Sequence, residues 1–273
     1  LDAFSKEAPI TIRTNVTKIT PDALKEQLKA EGVTVQTLEE LSYAGLPYTD
    51  AYHYAFAISG FDHLMALPSF QDGLFYVQDI SSMMVAEAAA PEKGAHVIDV
   101  CAAPGGKSTH MAELLDGTGM VEARDLTEYK VGLIEENIMR TGLHNIKAVQ
   151  MDATVLDEAS IEKADVLVCD LPCSGLGVMG RKTDIRYKMT EEKAHELAQL
   201  QQKILETVCA YVKPGGTMVY STCTIHREEN EENVETFLQK HTDFSLVSEK
   251  QMYPGEVGSD GFFLAKMVRS MHG

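Results

Sequence analysis

From about Phe75 to the end of the chain, short apolar runs alternate with stretches whose apolar residues recur every three or four positions. His96 to Val100, Met120 to Ala123, Ile146 to Met151, Val166 to Cys169, Thr217 to Ser221 and Phe262 to Val268 have the length and character of buried strands. Between them the pattern predicts helices over 79–90, 107–115, 130–141, 190–212 and 228–240. Each ends at a stop signal, such as Pro91-Glu92-Lys93-Gly94, Asp116-Gly117, Gly142 or Lys213-Pro214-Gly215-Gly216. In the longest helix Leu197, Ile204, Leu205 and Val208 fall on one stripe. Strands alternating with helices predict an α/β fold with a parallel sheet covered on both faces. Right-handed crossovers then bring every carboxyl end to one edge, where ligands bind. Chemistry is therefore expected just after Val100, Ala123, Met151, Cys169 and Ser221.

Ahead of Phe75 the pattern differs. Ile10 to Val16 is β-prone, and one helix runs from a cap-and-proline start at Thr20-Pro21 to Gly32. Its Leu24 and Leu28 lie on one face, and the segment Tyr48 to Tyr54 is rich in Tyr and His. The turn Gln71-Asp72-Gly73 suggests a boundary, with a small α+β unit over 1–74 and a larger unit over 75–273.

Length and charge narrow the possibilities. The 273 residues suit one large or two modest domains, with 44% hydrophobic residues and a net charge of −17. No apolar run reaches the roughly 18 uncharged residues of a membrane span. The start Leu1-Asp2-Ala3 suggests a piece of a longer chain rather than a natural beginning. Five cysteines, an odd number without framework spacing, predict thiols in a reducing cytoplasm. Cys169-x3-Cys173 has no matching partner pair, so no metal site is expected. His53, His110 and His226 read as surface or capping residues.

The strand ends carry unusual residues. After the first comes Cys101-Ala102-Ala103-Pro104-Gly105-Gly106-Lys107, small residues that let a ligand approach the backbone before a helix begins. It is not a phosphate-binding P-loop, because Cys101 occupies the position that needs glycine. Asp125 and Asp152 end the second and third strands, where a carboxylate suits a nucleoside. The fourth strand runs into Asp170-Leu171-Pro172-Cys173-Ser174-Gly175 and the fifth into Ser221-Thr222-Cys223. Two cysteines at adjacent strand ends suggest chemistry with a soft nucleophile and a second thiol.

Four segments give a specific resemblance: DVCAAPGGKSTHMAE, CDLPCSGLGVMGRKTDIRY, VKPGGTMVYSTCTIHREEN and YPGEVGSDGFFLAK. Together they resemble the RNA (cytosine-5)-methyltransferase family through almost the whole chain, most of all its bacterial small-subunit ribosomal RNA branch. In that branch a NusB-like helical domain precedes the part seen here. The resemblance implies a Rossmann-like class I fold with a mostly parallel seven-stranded sheet, preceded by a small α+β subdomain. It implies S-adenosylmethionine (SAM) as cofactor, with Cys101, Ala102, Ala103, Pro104, Gly105, Gly106 and Lys107 lining its loop. Asp125 would hold the ribose, Asp152 would lie by the adenine, and Asp170 would sit between cofactor and target base. Cys223 would be the nucleophile, Cys173 would aid product release, and Lys107 would assist Asp170. One departure is Thr183, where many relatives have proline.

An acidic chain is an awkward RNA binder. Arg181, Lys182, Arg186 and Lys188, however, form a basic strip directly after the Pro-Cys loop, and they are the expected RNA contacts. Glu228, Glu229, Glu231, Glu232 and Glu235 read as the solvated face of one helix. The expected partner is RNA, 16S ribosomal RNA first and transfer RNA second, with no membrane, metal or obligate protein partner. A DNA cytosine-5 methyltransferase is disfavoured, since its Pro-Cys is usually followed by glutamine and here Ser174 follows.

Overall fold

The structure is a computed structural model that describes residues 10–40, 52–179, 189–255 and 259–271. The first part is a small sheet with a helix: β1 (Ile10–Thr14), α1 (Pro21–Ala30), β2 (Thr34–Thr37), β3 (Ala55–Ser59), α2 (Pro68–Gln71) and β4 (Phe75–Val77). Its order is β2-β3-β1-β4, antiparallel throughout. Thr20 caps α1 through Ala23 N, and Pro21 opens it, as the sequence predicts. Leu24 and Leu28 pack on Ile12, Phe56 and Phe75. β4 lies just past the expected 74/75 boundary yet pairs with β1, so residues from beyond that turn complete the small sheet.

The second part continues α3 (Ile80–Ala89), β5 (His96–Asp99), α4 (Gly106–Leu114), β6 (Met120–Asp125), α5 (Glu128–Thr141), β7 (Ile146–Gln150), β8 (Ala164–Asp170), α6 (Glu191–Val208), β9 (Val212–Thr222), α7 (Glu231–Lys240), β10 (Phe244–Met252) and β11 (Phe262–Arg269). The sheet order is β10-β11-β9-β8-β5-β6-β7. The five strands from β9 to β7 are parallel, and β11 runs antiparallel to both β9 and β10. This is the mostly parallel seven-stranded α/β sheet that the resemblance implied.

Alternating side chains feed two cores, as strand geometry requires. Val97, Val121, Val168 and Val219 join the core under α3, α4 and α5. Ile98, Leu167, Met218 and Tyr220 join the one under α6 and α7.

Three readings need correction. The helix expected over 190–212 ends at Val208, and Lys213-Pro214-Gly215-Gly216 lies inside β9 as a bulge. Ala164 pairs with Val212 and Val166 with Thr217, so these four residues loop out between the two pairs. The helix expected over 228–240 begins at Glu231, and Glu229, expected on its solvated face, is fully buried together with Asn230. His110 is no surface residue: it is buried on α4 with its ring edge-on to Tyr54. Burial, aided by the nearby Arg13 charge, pushes its imidazole well below the usual range.

Helix α4 is largely buried, packing on α3, β6 and β7 of the large unit. Arg13 of β1 is completely buried and reaches it, with Nη1 donating to Glu113 Oε2 at 2.5 Å and Nη2 to Thr109 Oγ1 at 3.0 Å. Arg13 Nε donates to Gln78 Oε1 at 2.8 Å. The small sheet thereby braces the helix that begins at the Gly105-Gly106 loop.

Candidate active site

Every chemically unusual group after a parallel strand falls at the same edge of the large sheet. The β5–α4 loop turns at Gly105, whose φ of +103° favours glycine. Gly105 is also the cap position of α4, and no side chain caps the first N–H groups of that helix. Tyr76 Oη and Asn137 Nδ2 both donate to Pro104 O, at 3.2 and 3.0 Å, which fixes the loop from two sides. Cys101 is half-buried beside it, and burial pushes its thiol far up.

Asp125 ends β6, buried. Its Oδ2 accepts from Ala103 N at 3.0 Å, and its Oδ1 from Leu126 N at 2.8 Å and Lys130 Nζ at 3.0 Å. Asp152, just past β7, is exposed and closes a turn by accepting from Thr154 N and Oγ1. Those bonds hold its carboxyl below the usual range. The structure therefore places Asp125 against the loop, and gives Asp152 a local turn role.

The ends of β8 and β9 stand side by side, with Asp170 opposite Ser221. Lys107 Nζ lies 2.6 Å from Asp170 Oδ2, and Ser221 Oγ donates to Asp170 Oδ1 at 2.7 Å. Burial works against the Lys107 ammonium, but Asp170, with Asp99 and Cys223 nearby, outweighs it and raises its pKa. Just beyond, Cys173 Sγ and Cys223 Sγ are 3.1 Å apart, both half-buried and both free thiols. Contact with Cys223, then burial, pushes the Cys173 thiol well above its ordinary range.

Close backbone packing seats the thiol loops. Gly177 N donates to Cys223 O at 3.1 Å, and Gly261 N to Gly177 O at 2.9 Å. A Cβ on Gly177 would stand 2.0 Å from Gly261 O and 2.8 Å from Cys223 O, so that position requires glycine. The sequence reading missed Ser221, Gly177 and the buried trio Gln201, Glu229 and Asn230, which touch these loops. Extrapolating the apolar stripe of α7 backward from Phe237 and Val234 lands on Asn230, which was the available signal.

Arg181, Lys182, Arg186 and Lys188 lie outside the described residues. A cleft of about 550 Å³, lined by Lys93, Asp165, Lys213 and Thr217 among others, sits at the opposite, amino-terminal edge, away from the thiols. Among the described residues no helix is long and apolar enough to cross a membrane, and no group of three His, Cys, Asp or Glu side chains is placed to hold a metal ion.

The sheet order and the loaded carboxyl edge define a class I SAM-dependent methyltransferase fold. A sequence profile described as "16S rRNA methyltransferase RsmB/F" matches residues 86–268, and the chain belongs to that family. Among its relatives is a "Probable ribosomal RNA small subunit methyltransferase B" of Bacillus subtilis, 40% identical over 94% of this chain and 59% of the relative. The chain spans about three-fifths of the length of the curated relatives it matches. A solved "Methyltransferase Homolog Protein" of Pyrococcus horikoshii superposes with a TM-score of 0.82 at 27% identity, covering 98% of this chain and 88% of that one. NSun6 of the same organism, solved with SFG, gives a TM-score of 0.84 at 25% identity, covering 100% of this chain and 93% of that one.

Proposed function

We propose that this chain transfers a methyl group from SAM to C5 of cytosine in RNA, with 16S ribosomal RNA as target, through a temporary bond between Cys223 and C6. The observation that carries the reading is the pair of free thiols 3.1 Å apart, one residue past β9 and three past β8, beside the Lys107–Asp170 pair. The names of the family and of the Bacillus subtilis relative support the ribosomal target.

The residues present fit the cofactor. The uncapped amino end of α4 suits a carboxylate such as that of the methionine moiety. Asp125 Oδ2 takes one hydrogen bond, from Ala103 N, which leaves capacity for a ribose hydroxyl. Residues 101–107 would line the methionine end, and Asp152 would flank the adenine. When bound, SAM supplies an electrophilic sulfonium methyl group.

The rest falls to this chain and the base. Cytosine C5 is a poor nucleophile, so Cys223 adds as thiolate at C6 and moves electron density to C5. Asp170, held by Ser221 and Lys107, accepts from the N4 amino group, and a proton passed from the Lys107 ammonium through Asp170 to N3 neutralises the charge that develops there. After transfer, a water molecule takes the C5 proton, the C–H electron pair re-forms the C5–C6 double bond, the Cys223 sulfur departs as a thiolate, and the N3 proton returns through Asp170 to Lys107. Cys173, held as a neutral thiol, donates its S–H toward the departing sulfur. The basic residues 181–188 would meet the RNA backbone, and the target base must leave its stack to reach the thiols.

The test is Cys223→Ala, assayed on unmethylated small ribosomal subunits. Methyl transfer is abolished while SAM affinity, by calorimetry, stays near wild type. Full turnover in the variant overturns the assignment.

A further inference from the structure

Glu229 and Asn230 are consecutive residues in the turn between β9 and α7, and both are fully buried. Each serves a different thiol loop. Glu229 Oε2 accepts from Ser174 N at 2.8 Å and from Gln201 Nε2 at 3.0 Å. Gln201 Nε2 also donates to Pro172 O at 2.8 Å. The peptide groups on both sides of Cys173 are therefore held. Asn230 Oδ1 accepts from Thr222 Oγ1 at 2.5 Å, and its Nδ2 donates to Thr224 O at 3.1 Å and Gln251 Oε1 at 2.7 Å. The residues on both sides of Cys223 are held in the same way. Ser174 Oγ and Thr224 Oγ1, 2.7 Å apart, tie one loop to the other.

The chemistry of these two positions is costly unless it serves geometry. A buried carboxylate and carboxamide are tolerated only when hydrogen-bonded. Asn230 occupies the cap position of α7, where asparagine ordinarily binds its own helix. Here its side chain makes no capping bond, and its polar atoms go to the Cys223 loop and to Gln251 instead. Glu229 likewise sits one residue from the acidic surface of α7 yet points inward, to the Cys173 loop. Neither residue reaches a thiol itself in these bonds.

We propose that Glu229 and Asn230 are positioning residues that set the distance and orientation of the two sulfurs by gripping both thiol loops from one turn. The catalytic consequence rests on the reading above; the geometric claim does not. A 1 Å misplacement of a reacting group can cost about 100-fold in rate, so loosening either grip shows first in covalent chemistry rather than in cofactor binding.

The experiment compares wild type with Asn230→Ala, Glu229→Leu and the exposed control Glu235→Gln. One readout is the rate at which diamide converts Cys173 and Cys223 to a mapped intramolecular disulfide. Diamide takes up the two protons and two electrons and becomes a hydrazine, so no RNA or SAM is needed. The others are covalent trapping on 5-fluorocytosine RNA with SAM present, and SAM affinity. In Asn230→Ala and Glu229→Leu, disulfide formation slows about 10-fold and trapping slows about 10- to 100-fold. SAM affinity stays within about twofold, and the control matches wild type. Should Asn230→Ala fail to fold, Thr222→Val removes only the hydroxyl that Asn230 accepts and carries the same expectation. Folded variants with unchanged disulfide and trapping rates overturn the proposal, and so does an equal loss in every readout including SAM affinity. A wild-type protein that forms the disulfide but is never trapped on RNA sinks the methyltransferase reading, and the disulfide rates then decide the positioning claim alone.

Discussion

Lys107 Nζ and Asp170 Oδ2 stand 2.6 Å apart, and the contact joins the first turn of α4 to the last residue of β8. One partner comes from the proposed cofactor loop and the other from the strand that leads to Cys173. The pair is largely shielded from solvent, where breaking it leaves an uncompensated charge.

Replacing Lys107 with methionine is therefore expected to slow methyl transfer by about 100-fold or more, the usual scale for an acid–base group. Asp170 keeps Ser221 as a donor but loses its counter-charge. Single-turnover transfer at saturating SAM measures the effect. A variant that matches wild type would remove Lys107 from the chemistry.

Cys173→Ala deletes the neighbour that lies 3.1 Å from Cys223. The expected outcome is a protein that still bonds to RNA but releases it slowly, seen as a shifted band on a denaturing gel. Normal turnover without the band would leave Cys173 with no part in release.

Asp99 ends β5, almost fully buried, and Ser108 Oγ donates to its Oδ2 at 2.6 Å. Burial dominates and raises its pKa to about 7 from an ordinary 3.8. The folded state thus holds this proton more tightly than the unfolded chain does. Between those two values the contribution of Asp99 to stability falls as pH rises, by at most about 1.4 kcal/mol per pH unit. Urea unfolding of wild type and Asp99→Asn across that range should show a difference that slopes in this direction. A flat difference means the carboxyl is already ionised in the folded protein.

Arg13→Met strands the Glu113 carboxylate inside the interface between the two sheets. Loss of one partner of a buried pair costs about 3–5 kcal/mol. The double variant Arg13→Met with Glu113→Gln should recover much of that, because both charges are then gone. Chemical denaturation of the four proteins closes the cycle, and a cost under about 1 kcal/mol in the single variant would show that water already relieves the pair.

What the sequence revealed and what it hid follow from the same physics. The inner parallel strands were legible because burial on two faces makes them short apolar runs bounded by Gly, Pro or Asp. β10 was not, since only its end residues Phe244 and Met252 are buried and its middle, Leu246 and Val247 included, is largely exposed. The thiol pair was legible because Cys173 and Cys223 each follow a strand. Their supports were hidden: Glu229 and Asn230 look like solvated helix residues until the fold turns them inward. Arg13 gave no signal either, because its partner Glu113 lies 100 residues away. Asp152 had the right place along the chain, yet its local bonds are those of a turn.

That separation bears on how the chain assembles. A ribosome releases Arg13 long before Glu113 has been made, so the guanidinium stays hydrated while the small sheet takes shape around it. Its dry site exists only once α4 has emerged and settled. The small sheet therefore cannot complete its contact with α4 before residue 113 has been made, and the helix behind the Gly105-Gly106 turn is braced only from then on.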